Sequence, residues 1–195
     1  MFNSTKTNHF HSADVGLSSN SEPSFPSAIL PPQFFERAAE VVARELIGKK
    51  IVSTIGGSKV AGIILETAAY TGKNDPDTHI YRGESSKQAF WSAGSLYVYS
   101  SMGHALTTVA TPPYGEGACV LIRKIQLVEG GAGIVEGPGK VSKVLGITTA
   151  INGQNIFQGC GVEIERGANA DDITVRAFAR SKSKAPELML LFRGM

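Results

Sequence analysis

The feature that most constrains the fold is a change of residue pattern at Gly48. Before it, Pro31-Pro32 opens one segment whose apolar residues recur at helical spacing, which predicts a single amphipathic helix ending at Leu46. After it, the chain consists mainly of short runs rich in β-branched and aromatic residues, separated by glycine turns. The strands therefore follow one another without the regular alternation of strand and helix that builds a parallel sheet.

Seven runs are predicted as strands: residues 50–55, 60–70, 95–99, 119–127, 162–165, 173–177 and 188–192. The first two form a hairpin around Gly56-Gly57, and a short helix is predicted over residues 140–145. We therefore predict a single α+β domain over residues 31–195, in which a few helices flank a curved, mostly antiparallel sheet. Residues 1–30 are polar and lack an apolar period, which predicts a disordered leader.

Composition excludes several classes of protein. The chain has 195 residues, a formal net charge of +2 and two cysteines, Cys119 and Cys160, outside any metal-ligand spacing. We expect no metal site and no cofactor. No apolar run is long enough to span a membrane and no secretory signal pattern is present, so an intracellular location, nucleus or cytoplasm, is expected. The small positive charge permits a nucleic-acid partner without requiring one.

A glycine-rich motif at residues 137–140 is similar to a phosphate-binding loop. Gly137-Pro138-Gly139-Lys140 is followed by Val141, where the motif requires serine or threonine. The sequence therefore does not predict a nucleotide-binding loop here.

Chemistry-bearing side chains are concentrated after the second predicted strand. Residues 65–70 read Leu-Glu-Thr-Ala-Ala-Tyr, and alternation along a strand places Glu66, Ala68 and Tyr70 on one face. His79 follows nine residues after Tyr70, beyond a turn rich in asparagine and aspartate. A carboxylate, a tyrosine and a histidine could thus converge on one cleft.

Two further tyrosines, Tyr97 and Tyr99, share one face of the next predicted strand, and a bend over residues 100–104 follows. Tyrosines at this spacing suit either a packed core or a stacking platform for a ligand. From the residues alone, both interpretations remain open.

Seven fragments in chain order carry a resemblance to a known family: FF with ELIGK, LETAAY, His79 with YRG, GSLYVY, GEGACVLIR, EGPGKVSKVLGI and LMLLFRG. Together they resemble the alkyladenine (3-methyladenine) DNA glycosylase family over about residues 33–194. The resemblance implies a mixed α/β fold and base excision repair of alkylated or deaminated purines, which are flipped out of double-stranded DNA. It implies a monofunctional hydrolase that needs no cofactor, and we expect a monomer.

The resemblance also implies roles for individual residues in the base pocket. Tyr70 and Tyr99 would sandwich the flipped base, and His79 would hydrogen-bond near the sugar phosphate or the base edge. Tyr97 would support them from the same strand as Tyr99. Two further residues are implied: Arg123, which would line the pocket or hold the DNA backbone, and the pocket residue Val109, which stands where the family has an asparagine.

Contacts with the duplex are implied outside the pocket. Met102 and Gly103 would enter the minor groove as a wedge, although the family has a tyrosine where this chain has Met102. Lys140 would contact the DNA backbone. A basic cluster is either a phosphate contact or a solvated loop, and the sequence does not decide between these: Arg180, Lys182 and Lys184.

The chain departs from the family at the position of the general base, where Ala68 replaces a glutamate. Glu66 remains on the same strand face, about 6.6 Å away, as the candidate substitute base. Three hypotheses follow. The protein is an active glycosylase that uses Glu66 or acts on cationic bases, or a non-catalytic lesion binder, or a diverged domain that binds a small molecule or a protein instead of DNA.

Overall fold

A computed structural model describes residue 1 and residues 28–79, 91–167, 173–180 and 191–194. In this part of the chain, nine strands form one antiparallel sheet, with the order β3-β4-β5-β2-β1-β7 and with β6, β8 and β9 joined to β5, β9 and β2. The predicted curved, mostly antiparallel sheet is confirmed. The strands are β1 Lys50–Ser53, β2 Val60–Tyr70, β3 Leu96–Ser101, β4 His104–Ala110, β5 Cys119–Glu129, β6 Gly133–Glu136, β7 Val162–Glu165, β8 Val175–Phe178 and β9 Leu191–Gly194.

The helices are short: α1 Pro32–Phe35, α2 Ala39–Leu46 and α3 Pro138–Val144, with a 3-10 turn at Thr149–Ile151. The prediction of one continuous helix up to Leu46 is wrong, because the backbone of Ala38 is extended (φ −52°, ψ 142°) and separates α1 from α2. Gly48 adopts a left-handed conformation (φ 82°) after α2, as the predicted helix end requires. No helix in the described ranges is long and apolar enough to cross a membrane.

Two strands, β4 and β6, were not predicted from the sequence. The residues of β4 read HALTTVA, which lacks a clear apolar alternation, and β6 has only four residues, most of them exposed. Both segments become strands through pairing in the folded sheet: β4 lies between β3 and β5, and β6 pairs with the other end of β5. Tertiary context therefore overrides a weak local pattern.

The long strand β2 separates two environments. On one face, Thr67 donates a hydrogen bond of 2.7 Å from its Oγ1 to the carbonyl of Ala43 in α2, and the main core lies on this side. On the other face, Ala68 packs with Leu121 and Leu191 in a smaller apolar cluster. Glu66, Ala68 and Tyr70 thus share one face of β2, as predicted, and this face points away from the main core.

Residues 28–30, the last of the predicted leader, contact β7 and the residue that follows it. The amide of Leu30 donates to the carbonyl of Ile164, Ile29 forms a bridge with Glu165, and Leu30 is buried. Residues 28–30 are therefore part of the folded unit. The remainder of the predicted leader, from residue 2 to residue 27, lies outside the described residues.

Candidate functional site: an aromatic cavity

A cavity of about 480 Å³ opens where β2 and β3 end and the loop after β2 begins. Its lining includes three tyrosines and a histidine, together with small polar side chains. The residues that matter for the argument are Tyr70, Asp77, His79, Tyr97, Tyr99 and Thr108. The structure therefore brings together four of the residues that the sequence assigned to a base pocket or its support.

Two of the tyrosines, Tyr97 and Tyr99, lie side by side on the cavity face of β3. Their ring centroids are 5.0 Å apart with an interplanar angle of 25°, which is a stacked arrangement. The alternating residues Leu96 and Val98 point the other way and belong to the main core. The apolar side of β3 thus fixes the strand, and its aromatic side is left for the cavity.

His79 reaches the same aromatic pair from the loop after β2. Its Nδ1 lies 2.6 Å from the hydroxyl oxygen of Tyr97, and its ring meets that of Tyr99 edge to face at 4.5 Å. Edge-to-face packing is a favoured geometry for such rings. The three side chains therefore hold one another in fixed orientations at the cavity wall.

Tyr70, at the end of β2, contributes a fourth ring. The guanidinium carbon of Arg180 lies 4.5 Å from the centroid of this ring, within cation–π range. Burial raises the pKa of Tyr70 above its usual value, so its hydroxyl is protonated at neutral pH. Tyr70 thus presents a neutral aromatic ring to the cavity.

Arg180 is buried, and its guanidinium forms hydrogen bonds with the loop that follows β2. Its two terminal nitrogens donate to both oxygens of Asp75, at 2.9 and 2.6 Å, and one of them donates to Asp77 at 2.9 Å. It also donates to the carbonyl of Ala69 at 2.7 Å. For Arg180 the predicted role of a solvated loop residue is wrong, because it is buried; Lys182 and Lys184 lie outside the described residues.

Glu66 and Arg123 form an ion pair instead of facing the cavity. The Nε atoms of Arg123 and Arg193 each donate to a different oxygen of Glu66, both at 2.7 Å. Burial alone would raise the pKa of Glu66, but the hydrogen bonds from the two arginines outweigh it and lower this pKa. Neither Glu66 nor Arg123 is among the residues that line the cavity.

Residues 33–184 match the family described as Methylpurine-DNA glycosylase (MPG). The chain belongs to this family. It is 41% identical over 128 residues to a protein of Myxococcus xanthus that is provisionally named a 3-methyladenine DNA glycosylase; the match covers 63% of this chain and 66% of that protein.

Two other relatives of the methylpurine-DNA glycosylase family carry the same provisional name. The protein of Ehrlichia chaffeensis is 38% identical over 68% of this chain and 74% of its own length. The protein of Herpetosiphon aurantiacus is 35% identical over 75% of this chain and 74% of its own length.

Ala68 occupies the position to which the resemblance to this family assigns the general base. It is buried, and its apolar neighbours include Leu121, Leu191, Tyr70 and Phe178. Ala68 itself cannot accept a proton. Any base that serves this cavity therefore has to be another residue.

The expected pocket position Val109 does not face the cavity. It is fully buried in the main core, opposite Val120 in the strand register. Neighbouring residues of a strand point to opposite faces, and it is Thr108 that lines the cavity. The prediction for Val109 is therefore wrong by one residue, and Thr108 is the polar side chain that β4 supplies.

The predicted wedge lies at the tip of the β3–β4 hairpin. Met102 and Gly103 are its two turn residues, with φ of 49° and 78°, and Met102 is 96% exposed. Positive φ at both central residues is the geometry of a type I′ turn, which matches the twist of a hairpin.

Lys140, the predicted backbone contact, is exposed in the first turn of α3. This helix packs closely on β4: a Cβ at Gly139 would lie 2.8 Å from the Cβ of His104.

The cavity residues that the sequence did not predict include Asp77 and Cys119. Burial raises the pKa of the Cys119 thiol to about 12, so it is a neutral thiol rather than a nucleophile. Asp77 lies two residues before His79 in the same loop, a spacing that is visible in the sequence. Within the described ranges, no group of three or more His, Cys, Asp or Glu side chains could hold a metal ion.

Substitution of Glu66 tests the ion pair. We expect Glu66→Gln to lower the free energy of unfolding by about 1–3 kcal/mol at pH 7, because a buried carboxylate loses charged hydrogen bonds. The folded-state pKa of Glu66 is lowered, so its stabilising effect is present above its unfolded-state pKa and disappears as the pH falls through the folded value. Urea denaturation should show the two proteins converging in stability below about pH 4. An equal difference at pH 3 and pH 7 would contradict this account.

Proposed function

We propose that this protein binds duplex DNA, flips an alkylated purine into the aromatic cavity and hydrolyses its N-glycosidic bond. The observation that carries the proposal is the cavity of about 480 Å³ bounded by Tyr70, Tyr97, Tyr99 and His79. Its volume lies in the usual range for small-molecule sites. Family membership supports DNA as the partner.

The rings favour a purine that carries positive charge. A flipped base is recognised by stacking on aromatic side chains, and the face of a tyrosine ring attracts cations. Alkylation of a purine ring nitrogen, as in 7-methylguanine or 3-methyladenine, produces such a cation. A neutral deaminated purine such as hypoxanthine gains only the stacking.

The positive charge of the base also makes it a better leaving group. When the bond between C1′ and the purine nitrogen breaks, the electron pair moves into the cationic ring and neutralises it, so the leaving base needs no proton. Water supplies the new C1′–oxygen bond and releases one proton. The enzyme then has to orient the water and accept this proton, which is a smaller demand than full acid and base catalysis.

Met102 and Lys140 support the contact with DNA. An exposed apolar side chain at a hairpin tip can enter a base step and unstack it, which is how wedges assist flipping. A lysine at the start of α3 can pair with a phosphate. Arg123 remains a proposed contact to the DNA backbone only through the part of its side chain that is exposed, since its Nε donates to Glu66.

A non-catalytic lesion binder is the second candidate, and Ala68 is the observation that favours it. Such a protein would flip and shield damaged purines without cutting. The third hypothesis, a domain that has lost DNA binding, predicts no preference for damaged duplex at any salt concentration.

Single-turnover base release distinguishes these functions. Duplexes with one 7-methylguanine or one hypoxanthine are mixed with excess protein, and abasic sites are detected by alkaline strand cleavage. We expect release of 7-methylguanine at least about tenfold faster than release of hypoxanthine, since the cationic base stacks more strongly and leaves unprotonated. Binding to the damaged duplex without any release would support the lesion binder and reject the glycosylase.

A further inference from the structure

We infer that Asp77, and not Glu66, accepts the proton of the attacking water in this protein. The inference rests on the proposed function and identifies the group that replaces the missing carboxylate at Ala68. It is carried by the position of Asp77, by the charges around Arg180 and by the engagement of the other nearby carboxylates.

Position is the first argument. Of the described residues that line the cavity, Asp77 is the sole carboxylate, and it shares the cavity wall with His79 and the stacked tyrosines. Its side chain is 18% exposed, so it is sheltered and still open to the cavity. A general base has to be within hydrogen-bond reach of the water it activates, and a carboxylate in the cavity wall is placed where such a water could bind.

The charges around Arg180 are the second argument. Arg180 donates to both oxygens of Asp75 but only to Oδ2 of Asp77. Arg180 therefore holds the two carboxylates together, and Asp77 brings a carboxylate group to the wall of the cavity. Negative charge at this place favours the positive charge that develops on the sugar as the glycosidic bond breaks.

The loop that carries Asp77 is held rigidly, which is the third argument. The amide of Asp77 donates to Oδ1 of Asp75 at 3.0 Å, and the hydroxyl of Thr78 donates to the carbonyls of Gly72 and Asp75 at 3.0 and 2.9 Å. A catalytic group has to be held in place to within a fraction of an ångström. These hydrogen bonds fix the loop that carries Asp77 and, two residues later, His79.

The other carboxylates near the cavity have different partners. Glu66 accepts from two arginines, one on each oxygen, and does not line the cavity. Glu116 pairs with Lys73 at 2.7 Å and does not line it either. Asp75 is fully buried and is engaged by Arg180 and two loop amides. Asp77 is thus the group whose position fits the role.

The step balances without a cofactor. The water oxygen forms a bond with C1′ of the damaged nucleotide while its proton passes to a carboxylate oxygen of Asp77. The bond between C1′ and the purine nitrogen breaks, and its electron pair neutralises the cationic purine. The products are the free base, a hydroxyl on C1′ and a protonated Asp77, which returns its proton to solvent.

Asp77→Asn is the decisive variant, because it keeps the shape and an acceptor for Arg180 but removes the base. We expect its single-turnover release of 7-methylguanine to be at least about 100-fold slower than that of the wild type. Its Kd for the same damaged duplex should stay within about threefold. Glu45→Gln is the matched control: Glu45, on α2, also pairs with an arginine, Arg37, but does not line the cavity, so its loss should leave the rate unchanged.

Each other outcome decides between the inference and the proposed function. Release by Asp77→Asn within about threefold of the wild type overturns the inference and leaves the glycosylase proposal standing. Wild-type protein that binds the lesion but releases no base also overturns it, in favour of a lesion binder. Wild-type protein that neither binds nor cuts rejects the proposed function itself.

A second variant covers the case in which Asp77→Asn fails to fold. Asp77→Glu keeps the charge and the pairing with Arg180 but moves the carboxylate by about one methylene. Because small displacements of a catalytic group are costly, we expect release at least about tenfold slower with binding intact. An unchanged rate would contradict the inference.

Discussion

Replacement of Asp75 by alanine is expected to lower the free energy of unfolding by about 3–5 kcal/mol. Asp75 is fully buried and accepts four hydrogen bonds, two from Arg180 and one each from the amides of Thr71 and Asp77. Without it, two loop amides lose this acceptor, and the buried guanidinium keeps only Asp77 and the carbonyl of Ala69. The loss is a large fraction of the stability of an ordinary domain.

Urea denaturation monitored by circular dichroism measures this effect. Asp77→Ala is the comparison, because it removes one hydrogen bond from Arg180 and leaves the two bonds to Asp75 intact. We expect that variant to lose about 1–2 kcal/mol. If Asp75→Ala were destabilised by less than about 1 kcal/mol, the buried pair would not hold the loop as described.

Replacement of Tyr99 by alanine is expected to weaken binding of a 7-methylguanine duplex by about 5- to 150-fold, which corresponds to about 1–3 kcal/mol per stacked base. Tyr99 is stacked on Tyr97 and contacted by the edge of His79, so its removal opens the aromatic wall of the cavity. Affinity for an undamaged duplex of the same sequence should change little, because no base is stacked there.

Tyr99→Phe is the matched control, since it keeps the ring and removes only the hydroxyl. Fluorescence anisotropy with labelled duplexes should give this variant the affinity of the wild type within about threefold. An equal loss in Tyr99→Phe and Tyr99→Ala would show that the hydroxyl, rather than stacking, holds the base. No loss in Tyr99→Ala would place the base elsewhere.

Much of the fold could be predicted because it depends on local pattern. The alternation in residues 60–70 and the turn glycines define β2 and its hairpin partner β1, and both are found in the structure. The helix break at Ala38 and the strands β4 and β6 were missed because packing of distant elements decides them. The registers of β3 and β4 also decide that Thr108 and not Val109 faces the cavity.

The candidate site was predictable only in part. Alternation along single strands predicted the shared face of Tyr97 and Tyr99, and the structure brings His79 to them. The ion pairs could not be predicted from the sequence, because Arg193 and Arg180 are more than 100 positions along the chain from their partners Glu66 and Asp75. With these ion pairs formed, Glu66 does not line the cavity, whereas Asp77 does.

The most direct test of the central claim, that this cavity receives a flipped, damaged purine, is a titration of the wild-type protein with matched duplexes at several salt concentrations. We predict at least about tenfold tighter binding to the 7-methylguanine duplex than to the undamaged one, because flipping and stacking add to the phosphate contacts. Both affinities should fall with rising salt as counterion release requires. Equal affinity for the two duplexes, or affinity independent of salt, would contradict the account.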